Sequence, residues 1–438
     1  MASLRACIIG AGASGIAAAK ALADRGIPFD CFERLGCIGG NWAFEQNPDA
    51  AAYRGLHMNT YRLDMQYADF PMRDDIADFP VHTDVLAYFN DYVDHFDLRR
   101  RITFGVTVER VSKAETGAWR VELDTGEERE YTYLLVANGH HWDPRWPEPA
   151  IPGHFDGLML HSHAYSDSAI FADRSVAVIG MGNSAMDIVV ESSYVARRSL
   201  LVARRGVWIS PQYFFGSPTL PLPKSFWRLP WRLRQRVLQV IVRAAVGRYE
   251  RYGLAKPDYG FLQAHPTTSD TILSRITHGD VVPKPGIVSL EGDSARFADG
   301  SVERVDVIVC ATGYKITFPF FDDGFLDAPD NHIPLYLRVF HPEMENLAFI
   351  GLVQPLGAIP PCSEAQAKLV AAWIAGDYVL PDLATMRASA SSDQAAHAKR
   401  FVATPRHTIE VDAAWYLHLL ATELTRSTTR RRRAGRRR

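Results

Sequence analysis

The 438-residue chain has few of the features that mark secreted, membrane-spanning or metal-dependent proteins. It holds only five cysteines (Cys7, Cys31, Cys37, Cys310, Cys362), an odd number, mostly inside apolar strand-like runs. That excludes a disulfide scaffold and predicts a reducing, cytoplasmic setting. No apolar run approaches the ~20 residues that a bilayer-spanning helix needs. The start, "MASLRACIIG", goes straight into a strand, so no signal peptide is expected. Histidines, cysteines and acids nowhere fall at metal-ligand spacing. The one suggestive pair, His161 and His163 in "FDGLMLHSHAYSD", lacks further ligands, so no metal is expected.

Charge of either sign is scarce in the net sum, −2, but two unlike parts make up that figure. The end, "RSTTRRRRAGRRR", carries eight arginines, so the remainder stands at −10. Residues 426–438 have almost no apolar side chain and repel one another, which predicts a disordered tail. A solvated tail is the plain reading; weak attraction to anionic membranes or nucleic acid is the alternative, with no specific nucleic acid partner expected.

What is abundant is core. The chain is 47% hydrophobic, 11% aromatic and 22% charged, a globular composition. Its length exceeds what one core usually serves, so two or three domains are expected.

"RACIIGAGASGIAAAKALADRGIPFDCFER" reads as strand, turn, helix, strand. Gly10, Gly12 and Gly15 form G-x-G-x-x-G, with Ser14 inside the turn. The first glycine makes the turn, the second admits a pyrophosphate, and the third lets helix and strand pack closely. Glu33 ends the second strand about 20 residues on, where a carboxylate accepts from ribose hydroxyls. "RSVAVIGMGNSAMDIVVE" repeats the unit with Gly180, Gly182, Asn183 and Ser184, and Ala185 in place of the third glycine. Here the next strand, "RSLLVARRG", ends in Arg204 and Arg205. Two guanidiniums suit the 2′-phosphate of NADP and disfavour NAD. Two unlike turns imply two cofactors, FAD at the acid-ended one and NADPH at the arginine-ended one.

The predicted fold class is therefore α/β, with two Rossmann-like domains and the NADP domain inserted into the FAD domain. Expected spans are 1–150 and 301–425 for FAD and 151–300 for NADP, followed by the tail 426–438. "YLLVANGHHWDPRWP" and "VDVIVCATGYKITFPF" are read as the crossings. Residues 207–283 are an insertion. Within it, Trp227 to Gly253 reads as an amphipathic helix that covers the cofactor cleft or packs on a partner subunit, with shallow membrane contact as the alternative.

The chain resembles the flavin-containing monooxygenases, class B flavoproteins that use FAD and NADPH. Their pattern F-x-G-x-x-x-H-x-x-x-[YF] is met by Phe155, Gly157, His161 and Tyr165. "GGNW", "NTYRLDMQYADFP", "GMGNSAMD", "ARRG", "ATGY", "LVQPLGAIPPCSEAQAK" and "TPRHTIEVD" extend the likeness nearly end to end. The resemblance implies reduction of FAD by NADPH, capture of O2 as a flavin C4a-(hydro)peroxide, and oxygen transfer to a soft nucleophile, an amine or a sulfide. The difficult chemistry is then the cofactor's, which fits the lack of a general-base pair. By family position Asn59 is the first active-site candidate, since an amide can both donate and accept near flavin and bound NADP. Capping of the following turn is its plain alternative. Asn183 is the second candidate, with helix capping as its alternative. Gly40 and Trp42 are expected beside FAD and Gln354 near the isoalloxazine; Trp42 and Gln354 could equally be packing residues. His161 is expected to anchor the linker between the domains.

Three other readings compete. A disulfide reductase needs a cysteine pair in the helix after the flavin loop, where this chain has Trp42. A Baeyer–Villiger monooxygenase usually ends the pattern in tryptophan, where Tyr165 stands. A non-enzymatic FAD/NADP redox sensor is the third. Oligomeric state is left open, with a homodimer compatible with the insertion.

Overall fold

A computed structural model of the chain describes residues 4–218, 222, 226, 229–402, 404 and 407–435, with the side chains of 427–435 excepted. The chain divides into two compact units. The first comprises residues 1–50, 62–143 and 315–438; the second comprises 51–61 and 144–314.

The first unit is built on a five-stranded parallel sheet in the order Leu347–Phe349, Tyr133–Val136, Ala6–Ile9, Phe29–Glu33, Ile102–Phe104. Its central strand is apolar because both faces are covered, and Ala6, Cys7 and Ile8 are fully buried. The following helix, Ala13–Ala23, is almost all small residues. Its alanines allow close approach to the sheet and to the Ile359–Ile374 helix packed along it. From the central strand the chain first extends the sheet to one side. It later returns to the other, placing Tyr133–Val136 next to Ala6–Ile9. Such an order reversal opens a crevice at the carboxyl ends of the strands, the usual ligand site of these sheets.

The second unit repeats the plan. Its parallel sheet runs Leu158–His161, Val307–Cys310, Ser175–Ile179, Arg198–Val202, Val281–Lys284, and the reversal again falls beside the strand that precedes a glycine turn. A four-stranded sheet, Val302–Arg304, Ser294–Phe297, Ile287–Gly292 and Gly153–Phe155, stands with it.

Three expected features differ. The units exchange chain at 143/144 and 314/315, not near 150 and 300. Val307–Cys310 is an inner strand of the second sheet, so the chain cannot leave before Cys310. Residues 51–61 also belong to the second unit, because Tyr53 is buried in its core cluster with Tyr165 and Met186. In the insertion, the helix spans Trp231–Val246 and lays Leu238, Val242 and Val246 into that same core, so its apolar face is covered by its own unit. Trp227 and Arg228 lie outside the described residues.

The tail is the third difference. The helix Ala413–Gly435 carries its backbone through Arg426–Arg433; Arg436–Arg438 lie outside the described residues. Tyr416, Leu420 and Glu423 are buried, and Glu423 accepts from Tyr336 and Tyr378. Once a helix is nucleated by such packing, each further residue adds a hydrogen bond at small cost, even through Ser427, Thr428 and Thr429. Among the described residues no helix is long and apolar enough to cross a membrane.

Candidate functional site

At the first turn, Gly10 has φ +97°, and a Cβ there would stand 2.8 Å from the Ala137 carbonyl oxygen. A Cβ on Gly15 would lie only 1.8 Å from the Gly10 oxygen, so helix and turn touch through bare backbone. Gly12 caps the helix without a side-chain hydrogen bond, and the first turn holds no acid. Its N–H groups thus remain a ready anion site. Gly40, from the "GGNW" loop, faces Gly12 so closely that its own Cβ would stand 3.3 Å from the Gly12 Cα. The loop and the turn thus meet through bare backbone, which leaves the helix N-terminus unshielded by side chains from these two positions.

Glu33 is buried, and its carboxylate accepts from the Ala11 N–H at 2.7 Å and the Leu35 N–H at 3.0 Å. Burial raises its pKa, and the backbone donors oppose that shift. Each carboxylate oxygen keeps lone pairs beyond these bonds, so acceptance from a ribose hydroxyl remains available. Ser14 pairs its hydroxyl with that of Ser363 at 2.9 Å, tying the turn to the Ile359–Ile374 helix. Trp42 is half-buried in the short 3-10 turn Gly40–Trp42. Gln354 Oε1 lies 3.3 Å from the Nε2 of buried His140.

The second turn reproduces the first. Gly180 has φ +138°, and its added Cβ would stand 2.5 Å from the Ala311 oxygen. Gly182 caps the helix Asn183–Val195, again with no side-chain bond and no acid in the first turn. Asn183 is therefore not the cap. Its Oδ1 accepts from the Thr268 N–H at 2.8 Å, which holds the short strand Thr267–Thr268 to the helix start. Ser184 beside it is half-buried. Arg204 and Arg205 follow the strand Arg198–Val202, exposed, and neither forms an ion pair among the described residues. Two uncompensated guanidiniums at that place suit a phosphate.

The F-x-G-x-x-x-H-x-x-x-Y pattern has a packing logic. A Cβ on Gly157 would stand 2.6 Å from the Phe155 ring and 2.5 Å from the Asp306 oxygen. His161 is buried, its Nδ1 accepts from the His163 N–H at 3.1 Å, and its ring meets Trp146 and Tyr314 edge-on. Burial, helped by the neighbouring His163, pushes its pKa down to about 4, so it is a neutral, structural imidazole at physiological pH. Tyr165 is buried, stacked on Phe171, and donates to Glu191.

The model of the "Flavin-binding monooxygenase-like" family matches residues 3–428. The chain belongs to the flavin-containing monooxygenases. It is 36% identical to "Flavin-containing monooxygenase 5" of Oryctolagus cuniculus, covering 94% of this chain and 81% of that one. It is 34% identical to "Dimethylaniline monooxygenase [N-oxide-forming] 2" of the same species, over 88% and 76%. Among solved structures, S-allyl-L-cysteine S-oxygenase from Allium sativum is 26% identical with a TM-score of 0.72, covering 96% and 88%. Cyclohexanone monooxygenase has a TM-score of 0.72 at 18% identity, a likeness of fold alone.

As a flavin-containing monooxygenase the chain is an NADPH-dependent oxidoreductase that uses FAD. The two α/β turns fit two dinucleotides, having paired glycine cradles, uncapped helix N-termini and second strands of opposite charge. Asn59 is half-buried in the segment 51–61 of the second unit, and its amide makes no hydrogen bond among the described residues. It does not cap the turn before Thr60. The sequence reading missed Ser363, Tyr53 and the carboxylate pair Asp187 and Glu191. Asp187 lies inside "GMGNSAMD", which was the one available signal.

Proposed function

We propose that this monooxygenase oxygenates soft nucleophiles, amine nitrogens and sulfide sulfurs, in the cytoplasm. The observation that carries the cofactor assignment is the contrast between the strand ends: buried Glu33 at one, free Arg204 and Arg205 at the other. The first turn then holds FAD, with Gly10, Gly12, Gly15 and Gly40 giving its pyrophosphate backbone contact and Glu33 accepting from its ribose. Ser14, Trp42 and Gln354 line the same cofactor. The second turn holds NADPH at Gly180, Gly182, Asn183 and Ser184, with the arginines on the 2′-phosphate. Names of the relatives that mention N-oxide formation and S-oxygenation support the choice of substrate class. Five free thiols support the reducing compartment.

The chemistry that FAD would supply there, once reduced by NADPH, is activation of dioxygen, with one oxygen atom going to the substrate and the other to water. The protein's own part is to bind, orient and exclude water. Asn59 supplies an amide free to donate and accept toward the bound cofactor. Asn183 fixes the start of the NADP helix through Thr268. Phe155, Gly157, His161 and Tyr165 hold the strand and turn that open the second unit.

The test mixes purified yellow enzyme with NADPH under anaerobic conditions, admits oxygen, and analyses products from trimethylamine, thioanisole, an indole and a cyclic ketone. Bleaching by NADPH with N-oxide or sulfoxide product is expected. Oxidation of the ketone alone would replace this substrate class, and failure of NADPH to bleach the flavin would remove the assignment. Asn59→Ala should keep FAD and lose product per NADPH; wild-type coupling would remove Asn59 from the site.

A further inference from the structure

Residues 51–61 form no helix and no named strand, yet they hold the candidate Asn59. Tyr53 is the anchor of this segment. It is 2% exposed and donates its hydroxyl to Asp187 Oδ2 at 2.5 Å. One helical turn further on, Glu191 accepts from Tyr165. The two tyrosine rings lie 5.6 Å apart. Gly55 runs against the same helix, where a Cβ would stand 2.1 Å from Glu191 Oε1. The Arg54 N–H donates to the Ser166 oxygen at 2.9 Å.

Two carboxylates on one face of a helix are costly. Burial raises the pKa of each, Glu191 adding to the rise at Asp187 and Asp167 to that at Glu191, while exposed His57 and the tyrosine donors oppose it. Among the described residues no lysine or arginine pairs with either. Apolar side chains there would give more stability than charges held without counterions. What the carboxylates provide is direction, because a charge-assisted tyrosine–carboxylate hydrogen bond fixes a backbone more sharply than ring packing does.

We propose that Asp187 and Glu191 are positioning residues: through Tyr53 and Tyr165 they lock segment 51–61 to the helix of the second glycine turn, fixing where Asn59 presents its amide. The proposal rests on the reading of Asn59 given above. It predicts that uncoupling of NADPH oxidation follows from loosening the segment even when Asn59 itself is intact.

Tyr53→Phe keeps the ring and removes only the donor. In the FAD-loaded variant, amides of residues 51–61 should exchange with deuterium roughly tenfold faster. Product per NADPH should fall by a similar factor, with the missing oxygen appearing as hydrogen peroxide. FAD content and NADPH KM should stay near wild type. Asp187→Ala should do the same, and adding it to Tyr53→Phe should add little. Asp187→Asn, which still offers an acceptor to Tyr53, should recover coupling. Unchanged exchange in Tyr53→Phe overturns the clamp. Faster exchange with wild-type coupling, where Asn59→Ala is uncoupled, overturns the positioning role. If Asn59→Ala stays coupled, the Asn59 reading falls, and uncoupling by Tyr53→Phe would then show that the clamp positions another group; coupling in both overturns the proposal.

Discussion

Replacing Gly15 by alanine tests whether bare backbone contact at the first turn is what admits FAD. The added Cβ would lie 1.8 Å from the Gly10 oxygen and 2.8 Å from its carbonyl carbon. Helix and turn would have to separate by roughly 1.2 Å or more to reach a tolerable contact in a close-packed interior. The helix has nowhere to retreat, because Ala17, Ala18 and Ala19 are buried and the Ile359–Ile374 helix packs along it. Overpacking of this kind costs about 3 kcal/mol when the struck atom is backbone, the upper end of the usual range. Moving the turn also disturbs the backbone contact between Gly12 and Gly40. The expected protein is therefore colourless and less stable, read by the ratio of flavin to protein absorbance and by urea unfolding. Ala185→Gly is the control, since the second turn already accommodates a Cβ there; it should change stability by only about 1 kcal/mol. A Gly15→Ala protein with full FAD and wild-type stability would refute the close-contact argument.

Arg204→Ala and Arg205→Ala should each raise the KM for NADPH by roughly tenfold, the value of one charge-assisted contact, and leave that for NADH unchanged. An unaltered preference between the two nucleotides in both variants would move the 2′-phosphate elsewhere. Asp187 gives a pH prediction. Burial raises its carboxyl from 3.8 to about 6, with Glu191 adding to the rise and Tyr53 and His57 opposing it. The folded protein keeps that proton when the unfolded chain has lost it. Its contribution to stability is therefore full below about pH 4 and is lost as pH rises through about 6, by at most roughly 3 kcal/mol. Asp187→Asn does not titrate, so urea melts should show the variant gaining on wild type between about pH 4 and 6 and holding that gain above it; a gap constant with pH would contradict this.

The turns were legible because their determinants are local. Six residues from Gly10 to Gly15 state the steric problem and its solution together. The crossings were not. "VDVIVC" announces a strand buried on both faces, but an apolar run does not say in which of two sheets it is buried. Likewise nothing near Tyr53 names a partner 134 residues away. The tail differs for another reason: repulsion among the arginines weakens a helix by only a few tenths of a kcal/mol per like-charged pair, which growth from an anchored turn such as Tyr416 to Leu420 can absorb. Asn183 shows the limit at the site itself. Its place at a helix start suggested a cap, whereas Gly182 holds that position and the asparagine serves a neighbouring strand.

The unlike turns also bear on how one chain keeps two related dinucleotides apart. Both cofactors offer an adenosine ribose and a pyrophosphate, and both cradles accept a pyrophosphate equally well, since each has an uncapped helix and a glycine against a carbonyl. Discrimination therefore falls to the strand ends. On the proposed assignment, NADPH entering the first turn would bring its 2′-phosphate against the buried Glu33, where water screens poorly and repulsion is strong. FAD entering the second turn would leave Arg204 and Arg205 without the phosphate they suit, a lost gain with no clash. Exclusion is thus stricter at the FAD turn. That asymmetry suits an enzyme whose flavin stays in place while its nicotinamide cofactor exchanges, and it predicts that Glu33→Gln weakens the first turn's rejection of NADPH more than Arg204→Ala opens the second to FAD. Competition between the two nucleotides for each apoprotein variant measures it, and equal effects would overturn the asymmetry.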